Sequence, residues 1–137
     1  MGGRCGMIAD DLAEIIADPE GPASICEVAL DGFDCFCCRM IARPAYGSGR
    51  DPRPKILAWA SADDLPRGAD WGYGLIMAYD LPRPLTADAR GKIKDARGHV
   101  WRIEAAKPIV ETDPETGALE NIAWRFALRG TQRATRK

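Results

Sequence analysis

Alternating apolar and polar positions in the last third of the chain predict an antiparallel β-meander from about residue 92 to residue 129. The clearest strand places large apolar side chains at every second position, at Ile122, Trp124, Phe126 and Leu128. Residues 113–117 combine Pro at the second position with Gly at the last, which favours a turn before this strand. Residues 95–98 form a second turn between Ile93 and the segment 100–103. We therefore expect Trp101 and Trp124, on adjoining strands, to share a core.

The first half of the chain predicts one short helix and several shorter strands. A stripe at helical spacing indicates a helix over residues 7–18, ended by Pro19, with apolar positions Ile8, Leu12, Ile15 and Ile16. Strands are expected at 25–31 and 33–41, around an Asp31-Gly32 turn, and at 55–61 and 75–79. The Pro- and Gly-rich segment 43–54 and the segment 62–74 are interpreted as loops.

These elements predict a mainly β domain, a small antiparallel β-barrel or sandwich with a short N-terminal α-helix and long loops. We interpret residues 1–137 as a single domain. Its parts are a flexible N-terminus (1–6), the helix (7–18), a β core (25–128) that includes the loop 43–54, and a basic C-terminal arm (129–137).

Composition predicts a thin core that gains stability from a partner. Of the 137 residues, only 26 are Leu, Ile, Val or Phe, while 21 are Ala. Formal net charge is −1, but four cations and no acid lie between residue 129 and the C-terminus, so the preceding residues carry −5. An acidic body of this kind disfavours tight binding to duplex DNA, whereas the basic arm suits an acidic neighbour.

No set of residues in the sequence points to an enzyme or to a membrane span. The chain has one His, no G-x-S-x-G motif and no apolar run near the length of a membrane helix. Its five cysteines are an odd number, which argues against a closed disulfide framework and favours a reducing compartment. We expect no catalytic residue, no cofactor and no bound metal.

The cysteines nevertheless leave an alternative function open. Cys35 and Cys38 have C-x-x-C spacing, and Cys26, Cys37 and a remote His99 are further candidate ligands. These residues describe a small cytosolic zinc-binding or redox module. The strand pattern around them favours packing instead, because it sends Cys35 and Cys37 to one face and Phe36 and Cys38 to the other. His99 opens a strand beside a turn, which is typical of a surface or hydrogen-bonded histidine.

Candidate partner contacts lie in the loops and in the basic arm. Trp71 and Tyr73 are interpreted as aromatic residues of an exposed loop, the kind of side chain that is enriched at interfaces. Candidate interface residues are Tyr46, Arg50, Trp71, Tyr73, Arg129, Arg133, Arg136 and Lys137.

Three short patterns, covering about a third of the chain, resemble the lambda-type head-completion family, the small head–tail joining proteins of tailed bacteriophages. They are Ile16-Ala17-Asp18-Pro19, then Ile93-x-Asp95-x-x-Gly98-x-x-Trp101-x-Ile103, and finally Trp124-x-Phe126-x-Leu128-Arg129-Gly130. The Cys-rich strand and the loop 43–54 depart from that pattern.

The resemblance implies a structural subunit of the virion neck, assembled in the bacterial host cytoplasm. It implies a homo-oligomeric ring, a hexamer or dodecamer, between a portal-side adaptor and the tail proteins. DNA would pass through the channel without sequence recognition, and an acidic lumen would let it slide. The layer of the neck (adaptor, stopper or tail terminator) stays open, with a stopper or head-completion role as our expectation.

Overall fold

One helix and six strands form the regular structure in the computed structural model, which describes residues 7–45, 57, 59–60 and 70–130. In chain order the elements are α1 (Met7–Ala17), β1 (Ser24–Leu30), β2 (Phe36–Pro44), β3 (Trp71–Met77), a 3-10 turn (Ala78–Asp80), β4 (Gly91–Lys94), β5 (Val100–Thr112) and β6 (Leu119–Gly130). The predicted helix and the predicted C-terminal meander, now β4–β5–β6, are confirmed within one or two residues.

The strands close into an antiparallel barrel in the order β1-β2-β3-β6-β5-β4. A short seam between β1 and β4 completes the closure, with Val28 opposite Ile93 and Leu30 opposite Gly91. The expected mainly β fold is therefore confirmed, and of the two expected architectures the chain adopts the barrel.

The barrel interior is filled by the alternate side chains that the sequence pattern marks as apolar. Trp101 and Trp124 lie in the same buried cluster, as predicted. Around them pack Cys26, Val28, Leu30, Met40, Ile76, Ile93, Ile103, Phe126 and Leu128. Since Ala occupies few of these inward positions, the small number of large aliphatic residues is concentrated where it excludes water.

Asp95 ties the β4–β5 turn to the core. One carboxylate oxygen accepts hydrogen bonds from the backbone N–H groups of Arg97 and His99, both at 2.9 Å. The other oxygen accepts one from the indole Nε1 of Trp101 at 3.1 Å. The predicted turn is thus confirmed, and exposed His99 lies beside Trp101, with ring centroids 6.4 Å apart.

Two short segments cover part of the barrel's outer surface. Ile16 of α1 packs against Leu75 and Met77, which point outward from β3. The prediction that Ile15 belongs to the apolar stripe that packs on the core is wrong. Ile15 remains 44% exposed because only one side of α1 meets the barrel. The side chain of Ile8 lies outside the described residues.

A second segment that covers the outer surface lies between β2 and β3 in the chain. For its described residues, the prediction of a strand at 55–61 is wrong. Leu57 and Ala60 form a turn, with the Ala60 N–H donating to the Leu57 carbonyl at 3.0 Å. Both pack on the outer side of Trp71 and Ala127. The remainder of segments 46–56 and 61–69 lies outside the described residues.

β3 begins at Trp71, so the prediction of a loop over 62–74 is wrong at its end. Gly72 and Gly74 suggested a loop but face the barrel interior, where there is no room for a side chain. A Cβ on Gly72 would lie 2.6 Å from Cζ3 of Trp101. Gly72 and Gly74 therefore let strand backbone pass close to large core side chains.

Candidate assembly interface

The β5–β6 hairpin extends beyond the barrel as a two-stranded arm. Met77, the last residue of β3, pairs with Ala123, so the part of β6 before Ala123 has no described partner except β5. We call residues 110–121 the hairpin arm. Its strands pair Glu111 with Glu120, and the paired part is about 10 Å long at the usual rise of a strand.

The tip of the hairpin arm is the turn predicted at residues 113–117. Asp113 accepts the backbone N–H of Glu115 on its carboxylate at 2.9 Å, and its N–H donates to the Ala118 carbonyl at 2.8 Å. Gly117 adopts φ +75°, which a side chain would disfavour. The turn is therefore well specified by its own sequence.

The hairpin arm exposes apolar side chains on one face and the Glu111–Glu120 pair on the other. Val110 is 48% exposed and Leu119 is 70% exposed. Four acids lie on the arm (Glu111, Asp113, Glu115 and Glu120), and the sequence has no cation from residue 108 to residue 124. A hairpin with this surface is typical of a segment that is buried against a partner.

A row of three cations crosses the outer face of the barrel. Lys92 of β4 pairs with Arg102 of β5, and Arg102 pairs with Arg129 of β6. The Oε2 atom of Glu104 lies 3.8 Å from Nε of Arg102 and 3.8 Å from Nη1 of Arg129. We call Lys92, Arg102 and Arg129 the basic row. Neighbouring cations in register repel one another, and one half-buried carboxylate offsets only part of that repulsion.

The hairpin arm and the basic row lie towards opposite ends of the barrel. The arm leaves at the end that also holds the β1–β2 turn (31–35) and the segment 78–90; together these three segments carry eight acids and two arginines. The basic row reaches the opposite end of the barrel at Arg129, the last residue but one of β6, and runs back from there to Lys92, the second residue of β4. The barrel is thus polarised along its axis.

Only part of the interface predicted from the sequence falls on the described residues. Trp71 is 8% exposed under the turn at Leu57, so its assignment to an exposed loop is wrong. Tyr73 is half-buried, also in β3, and burial raises the pKa of its hydroxyl. Arg129 is half-buried and belongs to the basic row. The other candidates lie outside the described residues: Tyr46, Arg50, Arg133, Arg136 and Lys137.

An open groove of about 1230 Å³ lies at the barrel end opposite the hairpin arm. Ile41, Ala42 and Tyr73 contribute to its wall, with Arg43 and Arg97 among its charged lining residues. Asp95 also borders it, but its carboxylate already accepts the three hydrogen bonds described above. Among the described residues of its lining, the other titratable ones are Glu20 and His99.

The four described cysteines divide into two exposed and two sheltered thiols. Cys26 is buried and lies opposite Cys38, which packs against the core. Cys35 and Cys37 are exposed. The predicted separation of Cys37 from Cys38 across the strand is therefore confirmed. Within residues 7–45, 57, 59–60 and 70–130, no group of three or more His, Cys, Asp or Glu is arranged to hold a metal ion.

These environments predict selective thiol chemistry. In a Cys5→Ser chain at about pH 8, we expect Ellman's reagent to modify Cys35 and Cys37 at least about 100-fold faster than Cys26 and Cys38, because reaction needs an accessible thiolate. Liquid chromatography with mass spectrometry of the labelled peptides measures each rate. Protection of the exposed pair that a chelator removes would support the zinc alternative and contradict this account.

The sheltered thiols also give the fold a pH limit. Burial raises the pKa of Cys38 from 9.0 to about 12 and raises that of Cys26 in the same direction. A thiol that resists ionisation in the folded chain stabilises it below the unfolded pKa, and the contribution is lost as pH rises towards the folded pKa. The free energy of unfolding should therefore fall between about pH 9 and pH 12.

Among the residues described, no helix has the length and apolar character needed to cross a membrane. Comparison with models of protein families, with curated protein sequences and with solved structures yields no match.

Proposed function

We propose that the chain is a structural subunit of a tailed-bacteriophage neck, forming a ring that joins the DNA-filled head to the tail. The hairpin arm is the observation that carries this proposal. It is a short extension with exposed Val110 and Leu119, and its apolar surface gains stability only when a partner covers it. A closed barrel supplies a compact body from which such an arm can reach a neighbour.

The work of this protein is assembly, with no chemical step. The polarised barrel suits a subunit that must present one surface to a neighbour on one side and a different surface on the other. The ring contacts the portal-side adaptor on one side and the tail proteins on the other. The stopper or head-completion layer remains our assignment, and assembly takes place in the host cytoplasm.

We assign the acidic turns at the arm end of the barrel to the channel side of the ring. Asp31, Asp34, Asp80 and Asp88 lie there, outside the hairpin arm. Carboxylates repel phosphates, so a lumen lined by them lets DNA pass without sticking and without reading its sequence. A ring whose lumen proves strongly basic would contradict this assignment.

Deletion of the gene from the phage or prophage that carries it tests the proposal. We expect DNA-filled heads and complete but separate tails by electron microscopy, and restoration of joined particles when the wild-type chain is supplied from a plasmid. A deletion strain that still assembles joined, infectious particles would refute the proposed function.

A further inference from the structure

We propose that the ring is held by a head-to-tail contact in which the hairpin arm of one copy binds the basic row of the next copy. This inference rests on the proposed function for the idea that the chain assembles with itself. It adds which surfaces meet and why they select a second copy of the same chain.

Both surfaces carry like charges in register, and the two surfaces are opposite in sign. On the arm, Glu111 lies opposite Glu120. On the barrel, Lys92 lies opposite Arg102, which lies opposite Arg129. Like charges directly opposite across two strands are destabilising, whereas opposite charges attract. Placing the arm on the basic row relieves both repulsions in one contact.

The acidic side chains of the paired part of the arm lie together on one of its two faces. Glu111 pairs with Glu120 and Thr112 pairs with Leu119, so the two glutamates point to the face opposite that of Val110 and Leu119. The acidic face is the one that meets the basic row in this contact, which is therefore an electrostatic one.

The positions of the two surfaces determine the kind of assembly. A two-fold dimer needs one self-complementary patch, whereas here the complementary patches are different and lie towards opposite ends of the barrel. Such a contact is heterologous, and repeating it produces a ring when the rotation closes. A nucleic acid is a poorer partner for the basic row, because residues 1–128, which include Lys92 and Arg102, carry −5.

Paired charge reversals test the contact through rescue. The arm-reversed variant carries Glu111→Lys and Glu120→Lys, which changes the charge of the acidic face from −2 to +2, and the row-reversed variant carries Lys92→Glu and Arg102→Glu. Alone, each variant opposes like charges and should self-associate at least about tenfold more weakly than wild type. In an equimolar mixture every arm meets a row of opposite charge, so assembly should return with the two variants alternating.

Sedimentation velocity from about 10 μM to about 1 mM chain measures the association, and high salt should weaken the wild-type contact. The matched control, Asp34→Lys with Asp88→Lys, reverses two exposed acids at the same barrel end but outside the arm. We expect it to associate like wild type. Circular dichroism checks that every variant retains the β-barrel.

Three results would overturn the inference: a wild-type chain that stays monomeric, reversals without effect, or weakened association that the mixture does not rescue. Duplex DNA that binds the basic row at physiological salt, in place of a second copy, would overturn it as well. The gene deletion separates the two claims. If the deletion blocks joining but the mixture shows no rescue, the neck function stands and this contact falls.

Discussion

Gly91→Ala is expected to lower the free energy of unfolding by about 3 kcal/mol, through strain and overpacking together. Gly91 adopts φ +155°, and a Cβ there would lie 2.3 Å from the carbonyl oxygen of Ala29 and 2.7 Å from Cα of Leu30. Both clashing atoms are backbone atoms of the neighbouring strand and cannot turn aside as a side chain does. The methyl group would therefore force open the β1–β4 seam that closes the barrel.

Gly98→Ala is the control for backbone strain alone. Gly98 has φ +89°, but nothing lies within 4 Å of the position of its Cβ. The expected loss is about 1 kcal/mol, the cost of left-handed backbone for a residue with a side chain. Urea unfolding of both variants measures the difference. Equal losses of unfolding free energy in the two variants would show that β1 and β4 move apart at no cost to admit the methyl group. That result would contradict the tight closure between β1 and β4.

Removal of the hairpin arm is expected to abolish assembly while the barrel still folds. Replacing residues 110–121 by Asn-Gly leaves Ile109 and Ile122 in place, where they pack on the outer surface of the barrel. The number of joined particles should fall at least about 100-fold, because the contact that the arm makes is lost. Plaque counts after plasmid complementation of the gene deletion measure this loss.

The fold of the shortened chain is checked separately by its thermal unfolding, which should remain a single cooperative transition. Val110→Thr with Leu119→Thr serves as the milder variant, since it keeps the arm and its charges but weakens its apolar contact. We expect complementation by this variant to give a plaque count between that of wild type and that of the chain without the arm. Full complementation by the shortened, folded chain would show that the arm has no part in joining.

Local patterning explains why the C-terminal meander was predictable from the sequence. β6 alternates large apolar side chains with Ala and Arg, and the turns at 95–98 and 113–117 carry residues that favour chain reversal. β3 was misread because Gly72 and Gly74 resemble loop residues. Gly72 leaves room for Trp101, which lies close to it in the barrel interior. Trp101 belongs to a strand far away in the sequence, so the local pattern around the glycines does not predict this contact.

The candidate interface was less predictable because it depends on strand register. Lys92, Arg102 and Arg129 lie far apart in the sequence, and only the pairing of β4, β5 and β6 brings them into one row. The sequence carries one signal of this row. The apolar alternation that predicts the inward positions of the two strands leaves Arg102 and Arg129 at outward positions. The arm was visible as a turn, but its extension beyond β3 became apparent only with the ends of the strands.

Native mass spectrometry of the purified chain, with any bound metal retained, tests the central claim that this barrel is a ring-forming subunit. The account predicts closed oligomers of one defined size, without metal, that dissociate into intact folded monomers as salt is raised. A monomer that carries one zinc ion per chain would contradict the account and would assign the function to the cysteines of β1 and β2.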